Sequence, residues 1–579
     1  MRQTLSSPGS NWAVKISIAS DSVDELLSIS SCGKKFLSVY IDDGKLHVHA
    51  TAQIVPNLVF PEKEELDFSL ESALIPKVAV IEWLDYSFRL YGDSELKDEE
   101  WPLGALPASE WDVEWDEKLC RLTFCDPDQQ AAGREMKLSG PMQYFTWPGN
   151  NTGVGDCMPF EREGRYCLYY LFDRRGHRSK GGLGAHQWAQ ISSADLKTWT
   201  LHPMAIPITE QWEGSICTGS LIEKEGIIYA FYAVRMSDGS AARMTWATSK
   251  DGVHFMKSGK YFALTQPYEP VSARDPKVFL GEDGKYHMLV TTSLSALDSY
   301  GGCLAHLIST DLMEWKQLDP FIVPGYYDQP ECSDYFAWNG WYYLIFSSFA
   351  TARYRLSRHP SGPWMKPEYD ILDSVENQVV KTAAYGNRRL MTGFLARIPR
   401  TYAGNALTHE LIQNPDGTLG VRFLPEILPD FQTKISVPDF IIENAQGRSD
   451  VKIAESIAGC RLQAKAFLSG DAALGGLSIV SDKHEHSLDF DRSSRRISAM
   501  RPDQRFHMGD PRLQILGIDL TSPIVIDLII FKDILDLTLS NGRAMTMRLS
   551  EDMLSGFTLS VYVQNGRFEG TDISLAIIR

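Results

Sequence analysis

One motif, met four times through the middle of the chain, constrains the fold more than any other feature. Ser193-Ala194-Asp195-Leu196-Lys197-Thr198-Trp199 returns as Ser249-Lys250-Asp251-Gly252-Val253-His254-Phe255 and as Ser309-Thr310-Asp311-Leu312-Met313-Glu314-Trp315, then loosely across Ser357 to Trp364. The closing aromatics stand 56, 60 and 49 residues apart, and each copy follows a run rich in Tyr, Phe and Leu. Strand, strand and an Asp-turn-aromatic closure at this period is the signature of a propeller blade. Arg388 to Val421 supplies a further unit, so five four-stranded blades are expected.

The flanks are also β-rich. Short apolar or alternating runs are separated by turns such as Asp43-Gly44, Asp283-Gly284, Asp416-Gly417 and Asn541-Gly542, while helical periodicity is scarce. The expected fold is all-β: a five-bladed β-propeller flanked by N-terminal and C-terminal β-sandwich domains. Its parts are an N-terminal module over 1–110, a connection over 111–139, the propeller over 140–433 and the C-terminal sandwich over 434–579.

Charge narrows the partners. With 57 Lys and Arg against 74 Asp and Glu the formal charge is −17, which disfavours nucleic acid and anionic membrane surfaces. The nine Cys form no CxxC pair and no zinc spacing, so free thiols in a reducing compartment are expected, with neither metal nor cofactor. No apolar run approaches 18 residues and the first twenty residues lack a signal-peptide pattern, so the expected location is cytoplasmic. A homo-oligomer remains open.

Three carboxylates share a place near the start of the first apolar strand of their blades. Asp156 lies 43 residues before Trp199, Asp275 lies 40 before Trp315, and Glu331 lies 33 before Trp364. Blade two has Thr218-Gly219-Ser220 there and no acid. Residues of one phase meet around a propeller axis. Convergent acids in an aromatic-rimmed funnel suit glycoside cleavage, whose oxocarbenium-like transition state needs one ionised carboxylate and one proton donor.

At these residues the sequence resembles glycoside hydrolase family 32, the β-fructofuranosidases. Arg274-Asp275-Pro276 matches that family's Arg-Asp-Pro motif, and Glu331-Cys332-Ser333-Asp334-Tyr335-Phe336 is similar to its Glu-Cys-Pro-Asp-Leu-Phe motif, one blade later. Trp188 to Trp199, Gly219-Ser220 and His409-Glu410-Leu411 resemble further family segments, so the likeness runs over about 140–579. It implies a retaining hydrolase of fructosides in which Asp156 is the nucleophile, Glu331 the acid and base, and Asp275 the transition-state stabiliser. Arg274, Thr218, Ser220, Trp188, Cys332 and Asp334 are then expected near a carbohydrate substrate, with Trp212 stacking on a sugar ring. Asp173 and Arg174 open a basic loop that suits either solvent or an acidic sugar.

The chain departs from the family at the nucleophile. Trp-Met-Asn-Asp-Pro-Asn-Gly is replaced by Gly153-Val154-Gly155-Asp156-Cys157-Met158-Pro159, which keeps only the Asp. Sucrose, fructooligosaccharide, levan, inulin and difructose-type substrates all stay open. So do an inverting arabinan- or xylan-type hydrolase, a fructosyltransferase and a non-catalytic carbohydrate-binding protein.

Overall fold

The computed structural model describes residues 1–578 except 7–10, 20, 22–23, 55–63, 85–86, 103, 127–134, 149–151, 298–299, 398–400, 471–472 and 501–512. The architecture is all-β, a propeller flanked by two sandwich-like bodies. Four blades have four strands each: Thr152–Arg162 to Trp199–Leu201, Glu213–Lys224 to Met256–Phe262, Arg274–Leu280 to Lys316–Ile322, and Asn377–Tyr385 to Leu419–Arg422. Blade four, Glu331–Trp338 to Thr351–Ser357, has three, against the four expected. Blade five begins at Asn377 rather than Arg388. A backbone pairing of Val154 with Gly404 joins blades one and five.

The repeated motif is a hydrogen-bonded turn. Asp195 Oδ1 accepts from the N–H groups of Lys197 and Thr198, Asp251 Oδ1 from Val253 and His254, and Asp311 Oδ1 from Met313 and Glu314. The preceding Ser hydroxyl donates to each of these carboxylates. The residue after each Asp takes positive φ: Leu196 (62°), Gly252 (76°) and Leu312 (75°). Side-chain satisfaction of the turn's N–H groups offsets that unfavourable backbone.

Two antiparallel sheets form the N-terminal module around Trp12, Ile16, Ile29, Val39, Val48, Ile81, Phe88 and Trp111. The module extends past the boundary expected at 110. Trp111–Trp115 pairs with Glu25–Ser31 in one sheet, and Cys120–Cys125 pairs with Trp12–Ile18 in the other. Most of the expected connection therefore belongs to this module, and its residues 127–134 lie outside the described residues. Trp101, 2% exposed, leaves the module and packs with Met158, Tyr169 and Trp188 of the propeller. Burying an indole of about 200 Å² contributes roughly 5 kcal/mol of gross transfer energy to that attachment.

The C-terminal body is one eleven-stranded sheet around a single core. Its long strand Phe557–Ile578 pairs with Leu474–Val480 through its first part and with Gly459–Ser469 through its second. Polar groups lock it to the propeller. Buried Asp536 accepts from Gln143 (3.1 Å) and Tyr144 (3.2 Å) and meets His409 at 3.2 Å. Arg548 donates to the Ala396 carbonyl at 3.2 Å and to Asn405 at 2.7 Å.

Candidate active site

The site is built on a backbone irregularity common to all five blades. In each innermost strand, three residue steps oppose two on the neighbouring strand: Val154 to Cys157, Ile216 to Gly219, Arg274 to Lys277, Glu331 to Asp334 and Gln378 to Lys381. Each is a β-bulge, which kinks the strand and re-aims a side chain. Asp275, Cys332 and Val379, the first extra residues of blades three to five, have φ of 56°, 50° and 45°. The three acids therefore do not share one phase. Asp156 is a second bulge residue, Asp275 a first, and Glu331 precedes its bulge, yet all three line one cavity of about 280 Å³.

Both oxygens of Asp156 are engaged. Oδ1 accepts from the Tyr402 hydroxyl at 2.9 Å, and Oδ2 accepts from the Thr218 hydroxyl and from the Cys332 thiol at 3.3 Å. The Asp156 N–H also donates to the Tyr402 oxygen, at 3.2 Å. Gly155 makes this possible, because a Cβ there would lie 2.5 Å from the Tyr402 oxygen.

Asp275 is buried and accepts from the Cys332 N–H at 3.0 Å and its thiol at 3.5 Å. Arg274 lies 2.8 Å from Glu331 Oε1 and 3.8 Å from Asp275 Oδ2. Burial pushes the Asp275 carboxyl above its usual range; Arg274 offsets this in part and the charge of Asp156 adds to it. Burial raises Glu331 likewise, against Arg274 and with Asp275. Two carboxyls are thus biased toward holding a proton. Below the bulges, buried Lys381 donates to the carbonyls of Gly219 (3.0 Å) and Ser333 (3.1 Å), tying blades two and four together.

Asp156, Asp275 and Cys332 offer three ligand atoms within 4.8 Å of one another. Burial pushes the Cys332 thiol well above its ordinary value, and its single proton has two acceptors in reach, Asp156 Oδ2 and Asp275 Oδ2. The protonated thiol is a hydrogen-bond donor lying between the two acids.

Residues 158–356 match the family described as glycosyl hydrolases family 32 N-terminal domain. Over that third of its length the chain is similar to glycoside hydrolase family 32. A sucrose-6-phosphate hydrolase of Klebsiella pneumoniae is 31% identical over 160 residues, 26% of this chain and 32% of that protein. A levanbiose-producing levanase of Geobacillus stearothermophilus is 26% identical over 223 residues, 36% of this chain and 50% of that one. These alignments thus span a third to a half of the curated relatives' own lengths. Fructan 1-exohydrolase IIa of Cichorium intybus shares the fold, with a TM-score of 0.60 at 15% identity over 76% of this chain and 97% of its own. The family 32 match begins two residues after Asp156, the point where the motif departs.

Several residues expected near substrate are structural instead. Trp188 is fully buried, its indole N–H donating to the Cys217 carbonyl. Ser220 joins blades two and three by donating to the Pro276 carbonyl and accepting from the Val278 N–H. Asp334 pairs with Lys277 at 2.6 Å and accepts from Thr382. Trp212 lies outside the cavity, under the Arg243 guanidinium at 4.5 Å. Asp173 caps its own loop, accepting from the N–H groups of Gly176 and His177. Arg174 is buried against Glu99 at 3.1 Å, which removes it from any sugar. Thr218, Arg274 and Cys332 do line the cavity.

Tyr402, His177, His186, Arg235 and Gln378 line it too and were not foreseen. His186 stacks on Tyr402 (4.7 Å) and meets Asp173 at 2.9 Å, and His177 lies 3.3 Å from His186. Burial, with the nearby charges of His186 and Arg235, lowers His177 to about 4. No spacing in the sequence joins Tyr402 to Asp156, 246 positions away.

Proposed function

We propose that this chain is a retaining hydrolase of β-fructofuranosides. The observation that carries the reading is the convergence of Asp156, Asp275 and Glu331 in one cavity, two of them held up in pKa and the third held by hydroxyl and thiol donors. The relatives, named as hydrolases of sucrose 6-phosphate and of levan, support the same substrate class. An Asp156 oxygen attacks the anomeric carbon while Glu331 gives its proton to the departing oxygen, so one C–O bond forms as another breaks. Glu331, now ionised, takes a proton from water, which displaces the Asp156 carboxylate and frees fructose. Asp275, favoured in its ionised form by Arg274, supports the positive charge that develops on the fructosyl ring, and Arg274 also holds Glu331 in place.

The test compares wild type with Asp156→Ala on sucrose, inulin, levan, difructose anhydrides, arabinan and xylan oligosaccharides. Wild type is expected to release fructose as the retained anomer, and Asp156→Ala to lose at least about 10³-fold in kcat. Pentose release, inversion, or sugar binding without turnover would overturn the reading.

A further inference from the structure

The loop from Arg174 to His186 enters the cavity wall with His177, Leu183 and His186. Its backbone is unusual. Eight residues between Arg175 and Ala185 have φ from 50° to 104°, and four of them, Arg175, His177, Lys180 and Ala185, are not glycine. L-residues avoid this region, so the conformation persists only where surroundings over-determine it.

Those surroundings come from the N-terminal module. Asp98, Glu99 and Glu100 are consecutive, buried and aimed at the loop. Arg174 meets Glu99 at 3.1 Å and Asp98 at 3.7 Å, and Arg175 meets Asp98 and Glu100, each at 2.7 Å. The Lys180 N–H, at one of the left-handed positions, donates to Glu100 at 2.7 Å. Trp101, next in sequence, packs beneath the loop with Ala185 and Trp188.

We propose that the N-terminal module is a working part of the substrate pocket: its Asp98-Glu99-Glu100 carboxylates fix the 174–186 loop, and so the His177, Leu183 and His186 wall that selects among fructosides. The proposal rests on the fructoside reading for its substrates but not for its mechanics. These acids touch no reacting atom. They are positioning residues that act through the loop, and their loss should change substrates unequally, whereas a merely stabilising contact would lower all of them together.

The experiment uses the full chain with Glu99→Gln, Arg174→Met, Arg174→Lys and His177→Ala. Hydrogen exchange over 174–186 and kcat/KM on sucrose and on a fructooligosaccharide are measured for each. Glu99→Gln and Arg174→Met should speed exchange in the loop by about tenfold or more, leaving the Glu331–Trp338 strand unchanged, as expected for one lost buried charge contact. The ratio of kcat/KM between the two sugars should move about fivefold or more in the direction set by His177→Ala, and Arg174→Lys should restore part of it. Unchanged loop exchange, or an unchanged ratio, overturns the proposal. If a Glu99 variant fails to fold, His177→Ala and the two Arg174 variants carry the same comparison. Should wild type release no fructose, the fructoside reading falls separately, and loop exchange together with calorimetric affinities for the same two sugars decides the proposal.

Discussion

Replacing Tyr402 with Phe removes a single oxygen and tests how Asp156 is held. That oxygen accepts from the Asp156 N–H at 3.2 Å and donates to Oδ1 at 2.9 Å, while the ring lies edge-on to Phe394 (5.2 Å) and stacks on His186 (4.7 Å). Phe keeps these ring contacts and the edge contact with His177 (5.7 Å). A hydrogen bond to a charged group contributes about 1.5–3 kcal/mol net. If that bond holds the carboxylate in its attacking orientation, its loss lowers kcat by about 10- to 150-fold, since each 1.36 kcal/mol is a factor of ten. Thr218 and Cys332 still hold Oδ2, which favours the lower end. Stability should fall by only about 1 kcal/mol, because the freed N–H faces a cavity that water can enter. Steady-state kinetics on the preferred fructoside, with thermal unfolding as a control, separates the outcomes. A large fall in kcat at constant KM supports the positioning role. A raised KM with kcat intact would refute it and make Tyr402 a sugar contact.

Two further predictions follow from the charges. Glu331 and Asp275 are both raised, chiefly by burial, so a proton needed on Glu331 survives above the ordinary carboxyl range and activity falls as pH rises through the raised value. The basic limb of the kcat/KM profile should vanish in Glu331→Ala, and that variant should lose least on substrates with good leaving groups; equal losses on all would count against the acid role. At the propeller–sandwich interface burial would lower His409, but Asp536 and Asp373 outweigh it and raise the imidazole above its unfolded value of about 6.5. Its contribution is full below about pH 6.5 and is lost as pH rises through the folded value. The Tm gap between wild type and His409→Gln should therefore narrow with rising pH, and a gap that widens would show that His409 is neutral in the fold.

What could be read from the chain is what local chemistry encodes. Asp195, Asp251 and Asp311 each satisfy N–H groups two and three residues on, so the blade closure is written within a few positions. The bulges are not written that way, because an extra residue exists only relative to the strand beside it. Asp156, Asp275 and Glu331 were legible as acids on innermost strands, but not as occupants of three different bulge positions. The acids at 98–100 read as ordinary polar residues of the N-terminal module because their partners, Arg174 and Arg175, stand some 75 residues away. A buried charge looks like a solvated one until its counter-ion is known.

The departure of Gly153 to Pro159 from the family's motif then has a physical account. Side chains beside the Asp are replaced by Gly155, and the room so made admits Tyr402, which stands two residues before Gly404, the blade-five residue paired with Val154. Any Cβ at 155 would also lie 2.8 Å from two ring carbons, closer than such atoms normally approach, so glycine and tyrosine form one unit. The orientation of Asp156 is thereby handed from its own strand to a residue 246 positions on, one that also stacks on His186. His186 closes the loop that the N-terminal acids hold. Asp156, Tyr402, the histidine loop and the N-terminal module are thus one connected chain of contacts. An altered motif in one blade and an added module at the start of the sequence belong to the same pocket.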